Sequence, residues 1–253
     1  MAARMTEIIA VASSKGGVGK TTTSFSLAAA ATNWGSVLVV DLDPSISLST
    51  QMKLPTLDAN IVDVLQGNAP LDDALYATKE GILALPGSRE TYQIDVTEDV
   101  LRRAFEPAMG EIDIIILDTR PALEALEGPM RFATRIVVPA YLDGVSMPVT
   151  ADTIHLAVSL GLAPKVAGVL STNVRRPLTK LARDIYAGLQ DSGVGLEAVV
   201  WNTVQWPTAL ASGGLEGFPE LKQAADLIYN EVMHRKVPEA ALRRFADAWR
   251  KTD

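Results

Sequence analysis

Short apolar segments rich in β-branched residues recur along this chain and alternate with longer segments of helical periodicity. The apolar segments are residues 8–12, 37–40, 112–117, 136–139, 166–170 and 198–201. They do not alternate with polar residues, which is typical of strands covered on both faces. The pattern predicts an α/β fold, with a mostly parallel central sheet and helices on both faces.

The segments between the predicted strands have the length and periodicity of helices. Helices are predicted at about 19–33, 97–109, 122–132, 147–161, 178–190, 220–235 and 239–251. We find neither an internal repeat nor a Ser/Gly-rich linker, and 253 residues suffice for one sizeable core. Residues 1–253 are therefore predicted to form a single domain, on which the C-terminal helices at about 220–251 pack.

The composition excludes several classes of protein. With 48% hydrophobic and 21% charged residues, the chain is expected to be globular. The absence of Cys excludes disulfides, thiolate zinc sites, iron–sulfur clusters and a Cys nucleophile, and two His residues make a His-rich metal site unexpected. Neither a secretory h-region nor an apolar run of about 18 residues is present, which predicts a cytoplasmic protein.

The strongest functional signal is residues 15–23, Lys-Gly-Gly-Val-Gly-Lys-Thr-Thr-Thr, between the first predicted strand and the first predicted helix. Glycines allow successive backbone N–H groups to face phosphate oxygens, and the helix N-terminus adds positive potential. Lys20 is expected to reach the β and γ phosphates, and the Thr21 hydroxyl to ligate Mg²⁺. The alternative is a Gly-rich turn that binds nothing. The predicted nucleotide-binding residues here are Gly16, Gly17, Val18, Gly19, Lys20, Thr21 and Thr22.

This loop departs from the standard phosphate-binding motif at two positions. Ser14 stands five residues before Gly19, where the motif has Gly, and Lys15 is an additional lysine. Across a face-to-face dimer, Lys15 would reach the phosphates of the partner and neutralise charge on the transferred group. The alternative for Lys15 is an ordinary solvated loop lysine.

Carboxylates follow two further predicted strands. Asp41 and Asp43 end one strand at positions i and i+2, so both point the same way at the carboxyl edge of the sheet. Asp118 ends another strand, as expected of the carboxylate behind Mg²⁺ in a phosphate-loop protein. One carboxylate would hold the Mg²⁺ shell and another would orient the attacking water. The alternative for the Asp pair is a turn before Pro44.

Together these motifs resemble the ParA/MinD family of deviant-Walker P-loop ATPases, most closely its ParA (Soj) partition branch. Residues 15–23 match the deviant Walker A motif, residues 41–44 match motif A′, and Asp118 with Thr119 matches Walker B. The resemblance covers nearly the whole chain. It implies that Lys15 acts across an ATP-sandwiched homodimer, that Asp43 positions the hydrolytic water, and that Asp41 and Asp118 support the Mg²⁺ site with Thr21. Lys15, Lys20 and Asp43 are thus the implied catalytic residues.

The chain departs from the family pattern at three places. Ser45 replaces a common Gln, Arg120 replaces the first of two prolines after Walker B, and residues 200–203 lack the usual Ile-Pro-Arg-Asn. Adenine contacts are therefore assigned only to Thr172 and Asn173, directly after the strand 166–170.

The resemblance implies nonspecific DNA binding by the ATP-bound dimer, which needs a basic surface. Residues 1–170 carry 12 basic against 20 acidic side chains, whereas residues 171–253 carry 11 against 10. An ordinary solvated face is the alternative. The candidate DNA-binding residues are Arg175, Arg176, Lys180, Arg183, Arg243, Arg244, Arg250 and Lys251.

Two other functions stay open on the sequence. Leu242, Phe245, Ala246 and Trp249 form an apolar stripe that would suit an anionic membrane surface, although such a stripe more often docks on the core of its own protein. A small-molecule enzyme of the same superfamily is the third class, but no substrate motif is visible.

The predicted function is that of a Mg²⁺-dependent ATPase switch, with ATP as its cofactor. It would dimerise, associate with the nucleoid in the ATP state, and position a plasmid, a chromosome or a protein assembly. A ParB-like or analogous adaptor is implied as the partner that stimulates slow hydrolysis, and membrane association is not expected.

Overall fold

The computed structural model describes residues 5–250. Within this range a single mixed sheet forms from β1 (Glu7–Val11), β2 (Val37–Asp41), β3 (Tyr76–Ala77), β4 (Ile82–Leu85), β5 (Ile114–Asp118), β6 (Arg135–Tyr141), β7 (Val166–Val174) and β8 (Gly195–Trp201). Their order is β3-β4-β2-β5-β1-β6-β7-β8. Neighbouring strands are parallel except β3 and β4, which form an antiparallel edge. The predicted α/β class is confirmed.

Helices connect these strands and cover the sheet on both faces. They are α1 (Lys20–Ala31), α2 (Ser47–Gln51), α3 (Ile61–Gln66), α4 (Glu98–Phe105), α5 (Glu127–Phe132), α6 (Ser146–Ser159), α7 (Lys180–Asp191), α8 (Gln205–Ser212), α9 (Pro219–His234) and α10 (Glu239–Arg250). The predicted strands and helices are all present. The sequence-based prediction missed β3, β4, α2, α3 and α8, because segments of two to eight residues show little periodicity.

The central strands divide their apolar side chains between two cores. In β1, Ile8 and Ala10 point into one core, and Ile9 and Val11 point into the other. The first core lies under α3–α7 and α10, and the second lies under α1, α2, α8 and α9. Successive side chains of a strand point to opposite faces, so a strand buried on both faces must be apolar throughout. This requirement explains the uninterrupted apolar segments of the sequence.

The register of the central strands brings three sequence motifs to one edge of the sheet. Asp118 at the end of β5 lies opposite Val11 in β1 and opposite Asp41 in β2. The loop after β1 and the carboxylates after β2 and β5 are therefore neighbours. This carboxyl edge is where α/β proteins place their ligands.

The two C-terminal helices pack on opposite faces of the sheet. Helix α9 packs against α1, and α10 packs against α6. Leu242, Phe245 and Ala246 are buried in this contact. The apolar stripe of α10 therefore faces the protein's own core. Among residues 5–250, no helix combines the length and the hydropathy needed to cross a bilayer.

The packing of α5 generates a prediction about stability. A Cβ at Gly128 would lie 1.9 Å from the carbonyl oxygen of Val96, so Gly128→Ala is expected to lower the free energy of unfolding by about 1–3 kcal/mol. Gly188, in α7, has nothing within 4 Å of the same position. Gly188→Ala is the matched control and should raise this free energy by about 0.5–1 kcal/mol. Urea unfolding measures both, and equal effects would contradict this close packing.

Candidate functional site

The loop between β1 and α1 has the backbone geometry of an anion cradle. Gly17 and Gly19 have φ angles of +73° and +86°, in the left-handed region that favours glycine. A Cβ at Gly17 would meet no atom within 4 Å, so the space in front of it is open. No side chain caps the N-terminus of α1, and its first turn holds no acidic residue. The first N–H groups of α1 are therefore available to an anion.

Lys20 is held inside this cradle. Its side chain is only 6% exposed, and Nζ donates a hydrogen bond to the carbonyl oxygen of Lys15 at 3.1 Å. Burial lowers the pKa of Lys20, and the nearby charges of Asp118 and Asp43 act in the opposite direction. A buried cation with a single neutral partner is costly, so anionic phosphate oxygens would compensate its desolvation.

Asp118 is hydrogen-bonded to the first turns of α1. It accepts hydrogen bonds from the hydroxyl groups of Thr21 at 2.8 Å and Ser24 at 3.0 Å. Complete burial raises its pKa to about 7, with a further contribution from the charge of Asp41, while the two hydroxyl groups act against the shift. This contact fixes the Thr21 hydroxyl at the mouth of the loop, where the sequence predicts a Mg²⁺ ligand.

The two carboxylates after β2 have different surroundings. Asp41 is fully buried and accepts hydrogen bonds from the backbone N–H and the hydroxyl group of Ser49, at 2.9 and 2.7 Å, and from the N–H of Asp43. Burial raises its pKa to about 6. Asp43 lines the cavity at the phosphate loop instead. The structure thus gives Asp41 a bracing position behind Asp43, and its predicted part in Mg²⁺ binding stays a prediction.

Gly87 allows the tight contact behind Asp41. A Cβ at this glycine would lie 2.8 Å from the carboxyl carbon of Asp41, and the Gly87 N–H donates to the Ser49 hydroxyl. Sequence reasoning missed Ser49 and Gly87 as supports of the site. They lie in α2 and after β4, neither of which was predicted, so no sequence signal connected them with Asp41.

Lys15 is anchored at the rim of the cradle. Its Nζ donates a hydrogen bond to the hydroxyl group of Ser146 at 2.7 Å and lies 3.9 Å from a carboxylate oxygen of Asp143. Asp143 in turn accepts from the N–H of Ser146 at 2.6 Å. Lys15 is therefore held by contacts with Ser146 and Asp143, and its action across a dimer stays a prediction. Sequence reasoning missed Ser146 and Asp143 because they lie some 130 residues away and carry no motif.

The two residues predicted to contact adenine lie beside the cradle. The Thr172 hydroxyl group is buried and donates to the carbonyl oxygen of Val18 at 2.6 Å, so Thr172 braces the phosphate loop. Asn173 has a φ angle of +53° and accepts a hydrogen bond from Asn202. Both adenine contacts stay predictions.

The cavity at the phosphate loop has a volume of about 430 Å³, within the range of small-ligand sites. It is lined by Gly16, Gly17, Gly19, Lys20, Thr21, Thr22, Asp43, Ser45, Ser47, Gln51, Pro121 and Tyr141. Its open backbone, buried lysine and hydroxyl groups fit a polyphosphate. In the described range, no group of three or more His, Asp or Glu side chains forms a metal site. A Mg²⁺ ion here would rely on Thr21, water and phosphate oxygens, as Mg²⁺ usually does.

The candidate DNA-binding residues within residues 5–250 are all exposed. The groove between α7 and α10 is lined by residues of both helices, so the two helices are neighbours, and Arg244 is the one candidate basic residue among its lining residues. Arg176 stacks on the ring of Trp201 at 4.0 Å, and Arg250 pairs with Asp152 at 3.2 Å. Arg243 pairs with Glu239 within α10. Lys251 lies outside the described residues.

Comparison with known proteins identifies the family. The family model described as an AAA domain (AAA_31) matches residues 6–155. The chromosome partitioning protein ParA of Myxococcus xanthus is 33% identical over 184 residues, which are 65% of this chain and 64% of that protein. The chain belongs to the ParA/MinD family. Its phosphate loop is thus the deviant Walker A motif of that family, as the sequence predicts.

Solved structures of other proteins share the fold of this chain. McdA of Cyanothece superposes with a TM-score of 0.79 at 18% identity, covering 89% of this chain and 99% of that chain. A cobyrinic acid a,c-diamide synthase from Mycobacterium smegmatis gives 0.75 at 26% identity, covering 92% and 98%. The synthase was solved with ADP and magnesium, and with an ATP analogue and magnesium. ATP and Mg²⁺, the predicted cofactors, are accordingly ligands of this fold.

The buried carboxylates generate a prediction about pH. Because the pKa values of Asp41 and Asp118 are raised to about 6 and about 7, the folded apoprotein binds more protons than the unfolded chain between about pH 4 and pH 7. Its free energy of unfolding therefore falls as the pH rises through this window. Asp118→Asn should remove on the order of 2 kcal/mol of this fall between pH 5 and pH 8.

Urea unfolding at several pH values measures this dependence. Asp184→Asn, at an exposed position of α7, is the matched control and should keep the pH dependence of the native chain. If Asp118→Asn kept the native pH dependence, the pKa of Asp118 would not be raised by burial, which would contradict this prediction.

Proposed function

We propose that this chain is an ATPase switch that dimerises around two Mg·ATP, binds DNA without sequence preference in that state, and leaves DNA after hydrolysis. The observation that carries the proposal is the position of Lys15. It lies at the rim of the phosphate cavity on a contact with Ser146 that a closer anionic partner would replace. Lys20 fills the phosphate-binding position within the same chain, which leaves Lys15 for the nucleotide of a second copy.

Different residues of the cavity have different roles in ATP hydrolysis. The loop N–H groups and Lys20 would bind and orient the phosphates, and Thr21, whose hydroxyl group is fixed by Asp118, would hold Mg²⁺. Mg²⁺, when bound, supplies charge neutralisation at the phosphate oxygens. Asp43 lines the cavity with one carboxylate oxygen held by the N–H of Ser45 at 2.8 Å, which leaves the other oxygen to orient water.

Dimerisation couples ATP binding to DNA binding. Exposed basic residues on α7, on α10 and in the segment before α7 form a surface on each copy, and a two-fold dimer presents this surface twice. Each additional phosphate contact strengthens binding and its salt dependence. In this proposal the ATP form is nucleoid-associated, the whole chain acts as one cytoplasmic domain, and a ParB-like or analogous adaptor stimulates hydrolysis and carries the cargo.

One comparison favours a second function. The cobyrinic acid a,c-diamide synthase from Mycobacterium smegmatis matches 92% of this chain at 26% identity, and it was solved with bound ADP and magnesium. Under this alternative the ATPase would depend on a small acid rather than on DNA and an adaptor. Turnover measured with DNA, and separately with small carboxylic acids, separates the two functions.

Substitutions in the cavity should separate three steps of the cycle. Lys20→Ala is expected to abolish nucleotide binding, because the buried phosphate-binding cation is lost. Lys15→Ala should bind ATP but fail to form a productive dimer, and Asp43→Ala should accumulate as an ATP-bound dimer because the water is no longer oriented. Equilibrium binding of a fluorescent ATP analogue, light scattering and phosphate release measure these steps.

Lys53→Ala, outside the cavity, is the control and should behave as the native chain in all three assays. Retained ATP affinity in Lys20→Ala would contradict the phosphate-site assignment. Native turnover in Asp43→Ala would remove this residue from the mechanism.

DNA binding gives an independent prediction. Binding to random-sequence duplex DNA should require ATP and should weaken steeply with salt. Arg175→Ala with Lys180→Ala should reduce the salt slope by about one for each lost phosphate contact. Arg103→Ala, on α4, is the matched control and should keep the native slope. DNA binding that is equal with ATP, with ADP and without nucleotide would contradict the switch.

A further inference from the structure

A second cavity lies beside the nucleotide site and shares none of its lining residues. It has a volume of about 520 Å³ and lies between the end of β2, the N-terminus of α4, and the turn and helix that follow β5. Leu42, between Asp41 and Asp43, lines one wall, and Arg120, two residues after Asp118, lines another. The volume falls within the range of small-molecule sites.

The guanidinium group of Arg120 is the unusual feature of this cavity. Its Nε is buried without a hydrogen-bond partner, and among residues 5–250 no carboxylate forms an ion pair with it. A buried donor without an acceptor costs free energy, and an arginine with free N–H groups fits a carboxylate in a bidentate arrangement. This observation points to an anionic group of a ligand facing Arg120.

The remaining charges of the cavity are mostly negative. Glu127 pairs with Arg131 at 2.8 Å, and Glu98 pairs with Arg102 at 2.7 Å, so these four charges are balanced. Asp95, Asp99 and Glu124 also line the cavity and are exposed, and no ion pair of theirs occurs in the described part of the chain. Beside one unpaired guanidinium, the cavity thus presents three unpaired carboxylates.

We propose that this cavity binds a small amino acid-like ligand that carries one carboxylate and an excess of positive charge, as free basic amino acids do. The carboxylate of the ligand binds Arg120, and the ammonium or guanidinium groups of the ligand face Asp95, Asp99 and Glu124. Each charged end of such a ligand therefore lies next to residues of opposite charge. A simple anion would face three carboxylates, and a simple cation would leave Arg120 unpaired.

Calorimetric titration of the full chain tests the proposal with L-lysine and L-arginine as probes. Cadaverine, which is lysine without the carboxylate, and hexanoate, which has no cation, are the matched probes. L-lysine is expected to bind at least about tenfold more tightly than either. Equal binding of cadaverine and L-lysine would overturn the role of Arg120, and no binding of both basic amino acids up to about 10 mM would overturn the site.

Variants of the chain locate the binding. Arg120→Gln is expected to weaken L-lysine binding by about tenfold, and Glu124→Gln, at an exposed position, should weaken it several-fold without endangering the fold. Arg243→Gln, on α10, is the matched control. Lys20→Ala should keep native L-lysine affinity, so failure of the nucleotide site and failure of this cavity are distinguishable. Native affinity in both Arg120→Gln and Glu124→Gln would overturn the proposal.

Discussion

The hydrogen bond from the Thr21 hydroxyl group to Asp118 joins the two halves of the nucleotide site. Thr21 belongs to the first turn of α1 and Asp118 ends β5, and the two are 97 residues apart in sequence. The contact forms because β5 pairs with β1 in a register that places Asp118 opposite Val11, directly before the phosphate loop. A shift of one residue would move every side chain of β5 to the opposite core and would carry Asp118 away from Thr21.

Each cavity contains buried polar groups whose burial a bound ligand would compensate. Lys20, Asp41 and Asp118 are buried, and each has hydrogen-bond partners that hold its direction. Burial disfavours the charged forms, so the phosphate site carries an electrostatic cost that a bound anion and a bound cation together would relieve. Arg120 extends the same principle to the neighbouring cavity, where the missing partner is a carboxylate.

The sequence predicts the fold class, the order of the main elements and the phosphate site, because strand burial and the glycine-rich loop leave local signals. It does not predict the supports of the site. Ser49 donates to Asp41 and accepts from the Gly87 N–H, and Ser146 accepts from Lys15, through contacts that depend on how distant segments pack. The short elements β4 and α2 escaped prediction for a related reason, since four or five residues give no reliable periodicity. The structure was needed to place the apolar face of α10, because an amphipathic helix can pack on a core or lie on a membrane surface, although packing on the core is the more frequent case.

In the proposed function, two copies of the chain complete one catalytic site, with Lys15 acting on the nucleotide of its partner. Mixing Lys15→Ala with Asp43→Ala tests this arrangement, since each variant alone is expected to be inactive. In the mixed dimer, the nucleotide on the Lys15→Ala copy has its own Asp43 and receives Lys15 from the other copy. Phosphate release is therefore expected to reappear on mixing. If Lys15 acted within its own chain, both sites of the mixed dimer would be defective, and a mixture as inactive as its components would show that Lys15 does not act on the partner's nucleotide.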